Sequence, residues 1–133
     1  MIFIDSNVWL YAVSDEPNAG KRKKAIRLLQ EANICISSQV INEVLANILK
    51  KRIGTEEYAS ELLEHMYADY MVLKFCTTIS ELLGNCVGST NYPYWDSLIV
   101  ATALRSNADT LYSEDMQDGL NVRNRLIIKN PFQ

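Results

Sequence analysis

The chain has 133 residues, 48% hydrophobic and 22% charged, which is enough for one globular domain with a buried core. Its net charge of −3 and isoelectric point near 5.1 exclude a basic, nucleic-acid-coating protein, so any contact with a polyanion must run through a local basic patch or through cations. Cys35, Cys76 and Cys86 lie in apolar contexts without a Cys-x-x-Cys pattern, and no apolar run approaches a membrane span, which together predict a cytoplasmic protein in a reducing compartment.

Met1 to Ile4 is a short apolar run of the kind that forms a strand buried on both faces, as in a parallel sheet. Asp5 falls at its carboxyl end. Ser6 and Asn7 are helix-capping types, and Val8 to Ala12 opens a helix. Ligands of open α/β sheets bind beyond the carboxyl ends of the strands, so Asp5 is either a carboxylate compensated by a cation or a helix cap. After the polar loop Ser14 to Gly20, a helix is predicted over Lys21–Ala32 with Ala25, Ile26, Leu28, Leu29 and Ala32 as its apolar stripe. The run Lys21 to Lys24 sits where a helix dipole disfavours cations, and reads either as a solvated face or as a phosphate-binding rim. Ile34–Ser37 is the second strand. Ser38 then caps a helix to Arg52, with Val40, Ile41, Val44, Leu45, Ile48 and Leu49 apolar and with Glu43, Asn47 and Lys50 along a polar edge; Gly54 is its expected C′ residue.

The next helix, Thr55 to Asp69, carries His65, the only histidine, off its apolar stripe, which leaves histidine-dependent triads and zinc sites without support. Met71–Phe75 reads as the third strand, followed by a helix from Thr77 or Thr78. Tyr92, Tyr94 and Trp95 crowd the following loop and suit either stacking of unpaired bases or aromatic packing; Trp9 and Tyr11 suit helix packing or a subunit interface. A helix is predicted from Asp96 to Asn107; its centre, Leu98 to Leu104, is apolar almost all round, the pattern of a buried helix, and Asp96 stands at its mouth. Thr110–Tyr112 is a fourth strand that ends at Ser113-Glu114-Asp115. Met116 to Gly119 makes a turn, and Arg125–Ile128 a final edge strand. Strands alternating with helices predict a single domain, residues 1–133, built as a three-layer α/β/α sandwich with a central parallel sheet.

Four acids thus stand at element ends or flanks that one sheet edge can gather: Asp5, Glu43, Asp96 and Asp115. In the segments Phe3 to Val8, Ser37 to Glu43, Tyr94 to Ala103, Leu111 to Gly119 and Asn130 to Phe132, the chain resembles the PIN-domain nucleases, and among them the VapC-like toxins of toxin–antitoxin pairs. The resemblance spans the chain in order. It implies a metal-dependent endoribonuclease in which Asp5, Glu43, Asp96 and Asp115 form the acidic site and bind Mg²⁺ or Mn²⁺, Glu43 through water. Asp118 either joins the metal shell or caps a turn, and Ser6 and Ser113 supply hydroxyls to the carboxylates. Trp95 stands where another aromatic is more usual. The resemblance also implies an RNA substrate, an antitoxin partner and a homodimer. Hard divalent ions on carboxylate oxygens can drive phosphodiester hydrolysis without histidine or cysteine, which agrees with the residue set. Two rivals remain at this stage: a phosphohydrolase with Asp5 as nucleophile, disfavoured by Asn7 where a second acid is wanted, and a non-catalytic PIN scaffold, disfavoured by the intact acid set.

Overall fold

The computed structural model describes residues 1–14, 18–31, 33–74 and 93–133. Among the described residues six strands form one sheet: β1 (Ile2–Ile4), β2 (Ile34–Ser37), β3 (Met71–Leu73), β4 (Thr110–Tyr112), β5 (Asn121–Val122) and β6 (Leu126–Lys129). The helices among the described residues are α1 (Ser6–Val13), α2 (Ala19–Leu29), α3 (Ser38–Lys50), α4 (Glu56–Asp69) and α5 (Tyr94–Arg105). The strands lie in the order β3-β2-β1-β4-β6-β5, all paired in parallel except β5 with β6. This is the expected α/β sandwich on a mostly parallel sheet. Its central strands are apolar throughout because both faces are covered: Phe3, Ile4, Cys35 and Ile36 are fully buried.

The chain moves outward from β1 through β2 to β3, then returns to lay β4 on the opposite side of β1. The rule that parallel crossovers are right-handed puts α1 to α4 on one face and α5 on the other. Consistently, α1 packs on α2 and α3, and α3 on α4. The reversal between β1 and β4 opens a crevice beyond their carboxyl ends, the switch point at which α/β sheets bind ligands. Just beneath it, the Asp5 N–H donates to the Tyr112 carbonyl at 3.0 Å. Helix α5 is buried from Ser97 to Leu104, which explains a sequence apolar on every side.

Several boundaries differ from the sequence reading for local reasons. Helix α2 begins at Ala19, because the Asn18 side chain accepts the Lys21 N–H, and it ends at Leu29. The cap of α3 is Ser37, not Ser38: its hydroxyl accepts the Val40 N–H at 3.1 Å. That helix closes at Lys50, with Arg52 in the left-handed region (φ 52°) and the Ile53 N–H returning to the Ile48 carbonyl at 3.0 Å. Arg52 therefore holds the C′ position expected of Gly54. Gly54 answers to a different constraint, since a Cβ there would lie 2.5 Å from Tyr58 Cδ1. The last strand is not at the edge. A turn with Arg123 and Asn124 both at φ 55° carries β5 onto its outer side, closed by the Arg125 N–H on the Val122 carbonyl at 3.1 Å. Trp9 belongs to the core: it is 3% exposed and meets Tyr70 edge to face at 5.0 Å. Strand β3 closes at Leu73; Phe75, Cys76, Cys86, Tyr92 and the helix expected from Thr77 or Thr78 lie outside the described residues.

Candidate active site

Strand β1 delivers Asp5 into the crevice, and α1 starts on the next residue. Asp5 does cap that helix: its Oδ1 accepts the Ser6 N–H at 2.7 Å. Its Oδ2 accepts the Ser113 hydroxyl at 2.8 Å and lies 3.5 Å from Asn7 Nδ2. Capping alone does not explain a carboxylate that is only 5% exposed. Burial pushes its pKa up to about 6; the bonds from Ser113 and Ser6 oppose the rise, and the charges of Glu43 and Asp96 add to it.

The second acid comes from α3. Glu43 accepts the Ser6 hydroxyl at 2.8 Å and the Gln39 amide at 2.9 Å, so one residue after Asp5 joins β1 to α3. Asp96 stands in the first turn of α5 but is not its cap, a position held by Pro93 without a side-chain bond. A carboxylate near a helix N-terminus ordinarily ionises easily. Asp96 shows the opposite shift: burial raises its pKa, followed by the charges of Asp115 and Glu43. Asp115 is exposed on the loop after β4 and accepts Asn7 Nδ2 at 3.1 Å. Asp118 is tied elsewhere, its Oδ1 accepting the Asn130 N–H at 2.7 Å.

Glu43 and Asp96 therefore lie close enough to Asp5, and Asp115 and Glu43 close enough to Asp96, for their charges to add to the rise in pKa. They do not close on a single point. Among the described residues, no three His, Cys, Asp or Glu side chains converge so as to hold an ion. Ser6, Asn7 and Ser113 stand between them as bridges. Asn7 is the residue that sequence reasoning undervalued. Its amide nitrogen reaches Asp115, Ser113 and Asp5, and its oxygen accepts the Glu114 N–H at 3.4 Å. The one available signal was its place two residues after Asp5, at a strand-to-helix junction on the switch point.

The basic side chains divide by role. Lys21 donates to Glu114 and, at 3.1 Å, to the Tyr11 hydroxyl, and its ammonium lies 4.8 Å from the Tyr11 ring centre and 5.4 Å from that of Phe132. Burial pushes the Glu114 carboxyl up, but bonding to Lys21 and Tyr11 more than offsets this and holds it below its ordinary value. Lys51, rather than Lys50, lines a small cleft of about 160 Å³ with Asn7, Tyr11, Glu114 and Asp115.

The Ser113 hydroxyl is fully buried and is a close donor to the Asp5 carboxylate. Ser113→Ala should leave a buried carboxylate oxygen poorly satisfied and cost about 1–3 kcal/mol of stability above pH 6. Urea denaturation at pH 7.5 measures it; an unchanged midpoint would mean that water replaces the bond at no cost.

An α/β sheet with an acidic crevice at its switch point is the class that fold and site define. The PIN domain profile matches residues 2–118, and the chain belongs to the PIN-domain family. No curated protein matches significantly. Solved structures share the whole fold: a toxin–antitoxin complex from Klebsiella pneumoniae (TM-score 0.75, 16% identity, covering 100% of this chain and 99% of that one). VapBC2 from Rickettsia felis, bound to a promoter DNA fragment, is similar at TM-score 0.68 and 22% identity, covering 98% of each chain. VapC20 of Mycobacterium tuberculosis, a toxin that cleaves the sarcin-ricin loop, gives TM-score 0.65 and 13% identity over 84% of this chain and 87% of that one.

Proposed function

We propose that this protein is a metal-dependent endoribonuclease that serves as the toxin of a type II toxin–antitoxin pair. One observation carries the reading: acids from four separate segments of the chain line the crevice at the switch point, and the buried one, Asp5, is held at a pKa of about 6. Such a cluster is costly when ionised, and a divalent cation is its natural compensation. The donor set is all carboxylate oxygen, which suits Mg²⁺ or Mn²⁺ and not a soft metal. Asp5, Asp96 and Asp115 would hold the ion and Glu43 would act through water, whereas Asp118, bonded to the Asn130 N–H, would stay outside the shell. Mg²⁺ commonly takes one or two carboxylates and keeps several waters, so a site without three converging acids is compatible with it. When bound, the ion supplies charge neutralisation at the phosphate and a more acidic water.

The chain's own contribution is orientation. Ser113 and the Ser6 N–H fix both oxygens of Asp5, Ser6 and Gln39 fix Glu43, and Asn7 holds Asp115 toward the strand ends. The same bonds leave Asp5 poorly placed as a phosphorylated nucleophile, the first rival reading. An antitoxin partner is favoured because structural neighbours are toxin–antitoxin complexes. Exposed Leu49, Tyr58 and Tyr67 on α3 and α4 offer apolar surface for that partner or for a homodimer. No helix among the described residues is long and apolar enough to cross a membrane, and a cytoplasmic setting fits the RNA substrate.

The test is cleavage of single-stranded or looped RNA by the purified protein. Cutting is expected with Mg²⁺ or Mn²⁺ and is expected to stop in EDTA. Equal cutting in EDTA would remove the metal from the mechanism. RNA that binds but stays intact under every metal condition would make this a scaffold. Light scattering at micromolar concentration is expected to give a dimer.

A further inference from the structure

Beside the acids lies a groove of about 650 Å³ between the N-terminal turns of α3 and α5, walled by Gln39, Asn42 and Glu43 on one side and by Tyr94, Trp95 and Leu98 on the other. We infer that this groove is a subsite for one unpaired nucleobase of the RNA, stacked on the Tyr94–Trp95 pair and read along its edge by Asn42 and Gln39. The inference rests on the nuclease reading above.

Four features support a base as the occupant. Tyr94 is 53% and Trp95 62% exposed, a large outlay of aromatic surface on the wall of a mostly apolar groove that carries a few polar groups. The two rings meet edge to face at 5.1 Å and 82°, so each braces the other and little side-chain freedom is lost when a third ring stacks. The facing wall carries two carboxamides, which offer both donor and acceptor groups to a base edge, and one carboxylate, but no cation. A phosphate or an acidic peptide would be repelled there, whereas a neutral flat heterocycle would not. Finally, Glu43 belongs both to the groove and to the acid cluster, while Trp95 directly precedes Asp96. A nucleotide seated here is thus a close neighbour of the phosphate presented to the acids.

Steady-state cleavage of oligoribonucleotides that differ at one base tests the subsite. Trp95→Ala is expected to raise KM about tenfold or more with a smaller change in kcat, Trp95→Phe to recover most of the loss, and Asn42→Ala to flatten base preference. A binding readout is independent of cutting: hexaribonucleotides should quench the fluorescence of the Asp115→Asn protein, because Trp95 is exposed while Trp9 is buried. Tyr94→Ala should weaken that quenching. RNA cleavage with KM and base preference unchanged in Trp95→Ala and Asn42→Ala would overturn the subsite and leave the nuclease intact. Quenching without any cleavage would support the groove while the nuclease reading fails. An absence of quenching, or a Trp95→Ala variant that loses only self-association or binding of a protein partner, would assign the groove to a protein and overturn the inference.

Discussion

Replacing Asp96 or Asp5 by Asn is expected to lower metal-dependent RNA cleavage by about a thousandfold or more without unfolding the protein. A loss of that size is about 4 kcal/mol of transition-state stabilisation, at about 1.36 kcal/mol per decade of rate. Asn is nearly isosteric with Asp, so the space at the heads of α1 and α5 stays filled. What changes is the charge, and with it the hard anionic ligand that a divalent ion requires. Asp96 is the cleaner test because it does not cap its helix, so its removal asks little of the fold. Asp118→Asn is the contrasting variant. Its carboxylate is bonded to the Asn130 N–H, so it should keep most of the activity and instead lose about 1 kcal/mol of stability. Rates measured under single-turnover conditions, with circular dichroism as the check on folding, decide the matter. Asp96→Asn cutting at the wild-type rate would remove the acid cluster from the chemistry. Trapping of a phosphorylated Asp5 would return the phosphohydrolase reading.

The parts of the molecule that were legible in the sequence are those where local pattern and tertiary demand agree. Residues Ile34–Ser37 and Thr110–Tyr112 are short apolar runs, and both strands fall where the pattern puts them because a strand covered on two faces has no other use for such a run. Helix α5 was legible for the same reason. Errors concentrate where backbone conformation is set by contacts that composition does not announce. The β5–β6 turn uses Arg123 and Asn124 at positive φ, and without a glycine the sequence shows no hairpin signal. Arg52 rather than Gly54 ends α3, because the return bond from Ile53 fixes the conformation and Gly54 is needed for Tyr58. The four acids could be named from order and from the family resemblance. The bridging by Asn7 and the pairing of Lys21 with Glu114 are long-range contacts, joining residues 108 and 93 positions apart in the case of Asn7–Asp115 and Lys21–Glu114, and no periodicity encodes them. The lysine run therefore reads in the sequence as one feature, while in the fold Lys21 is held in an ion pair.

The metal-free protein is expected to lose stability as pH rises from about 4 to 7, and Asp5→Asn to abolish most of that loss. The sign follows from linkage. Asp5 has a folded-state pKa of about 6 against 3.8 for an ordinary aspartate. Between those values the folded chain holds a proton that the unfolded chain has released, so unfolding is progressively favoured with increasing pH, and above the folded value the full cost of an ionised, buried carboxylate is present. The interval corresponds to roughly 3 kcal/mol at 1.36 kcal/mol per pH unit, an upper figure because relaxation and counterions blunt it. Asp96 shifts in the same direction, so its ionisation adds to the slope. Asn at position 5 keeps one acceptor for the Ser6 N–H and can donate to Ser113, which limits what the substitution costs. At pH 7.5 in EDTA the variant should therefore be more stable than wild type by about 1–2 kcal/mol, with the two nearly equal at pH 4.5. Adding Mn²⁺ should stabilise wild type and close the gap, because a ligand stabilises only the state that binds it. Urea titrations at the two pH values, with and without Mn²⁺, contain the whole test. If Asp5→Asn is less stable at both pH values by the 0.5–2 kcal/mol typical of a lost cap, and Mn²⁺ does nothing, Asp5 is a helix cap and the case for a metal-binding acid cluster fails.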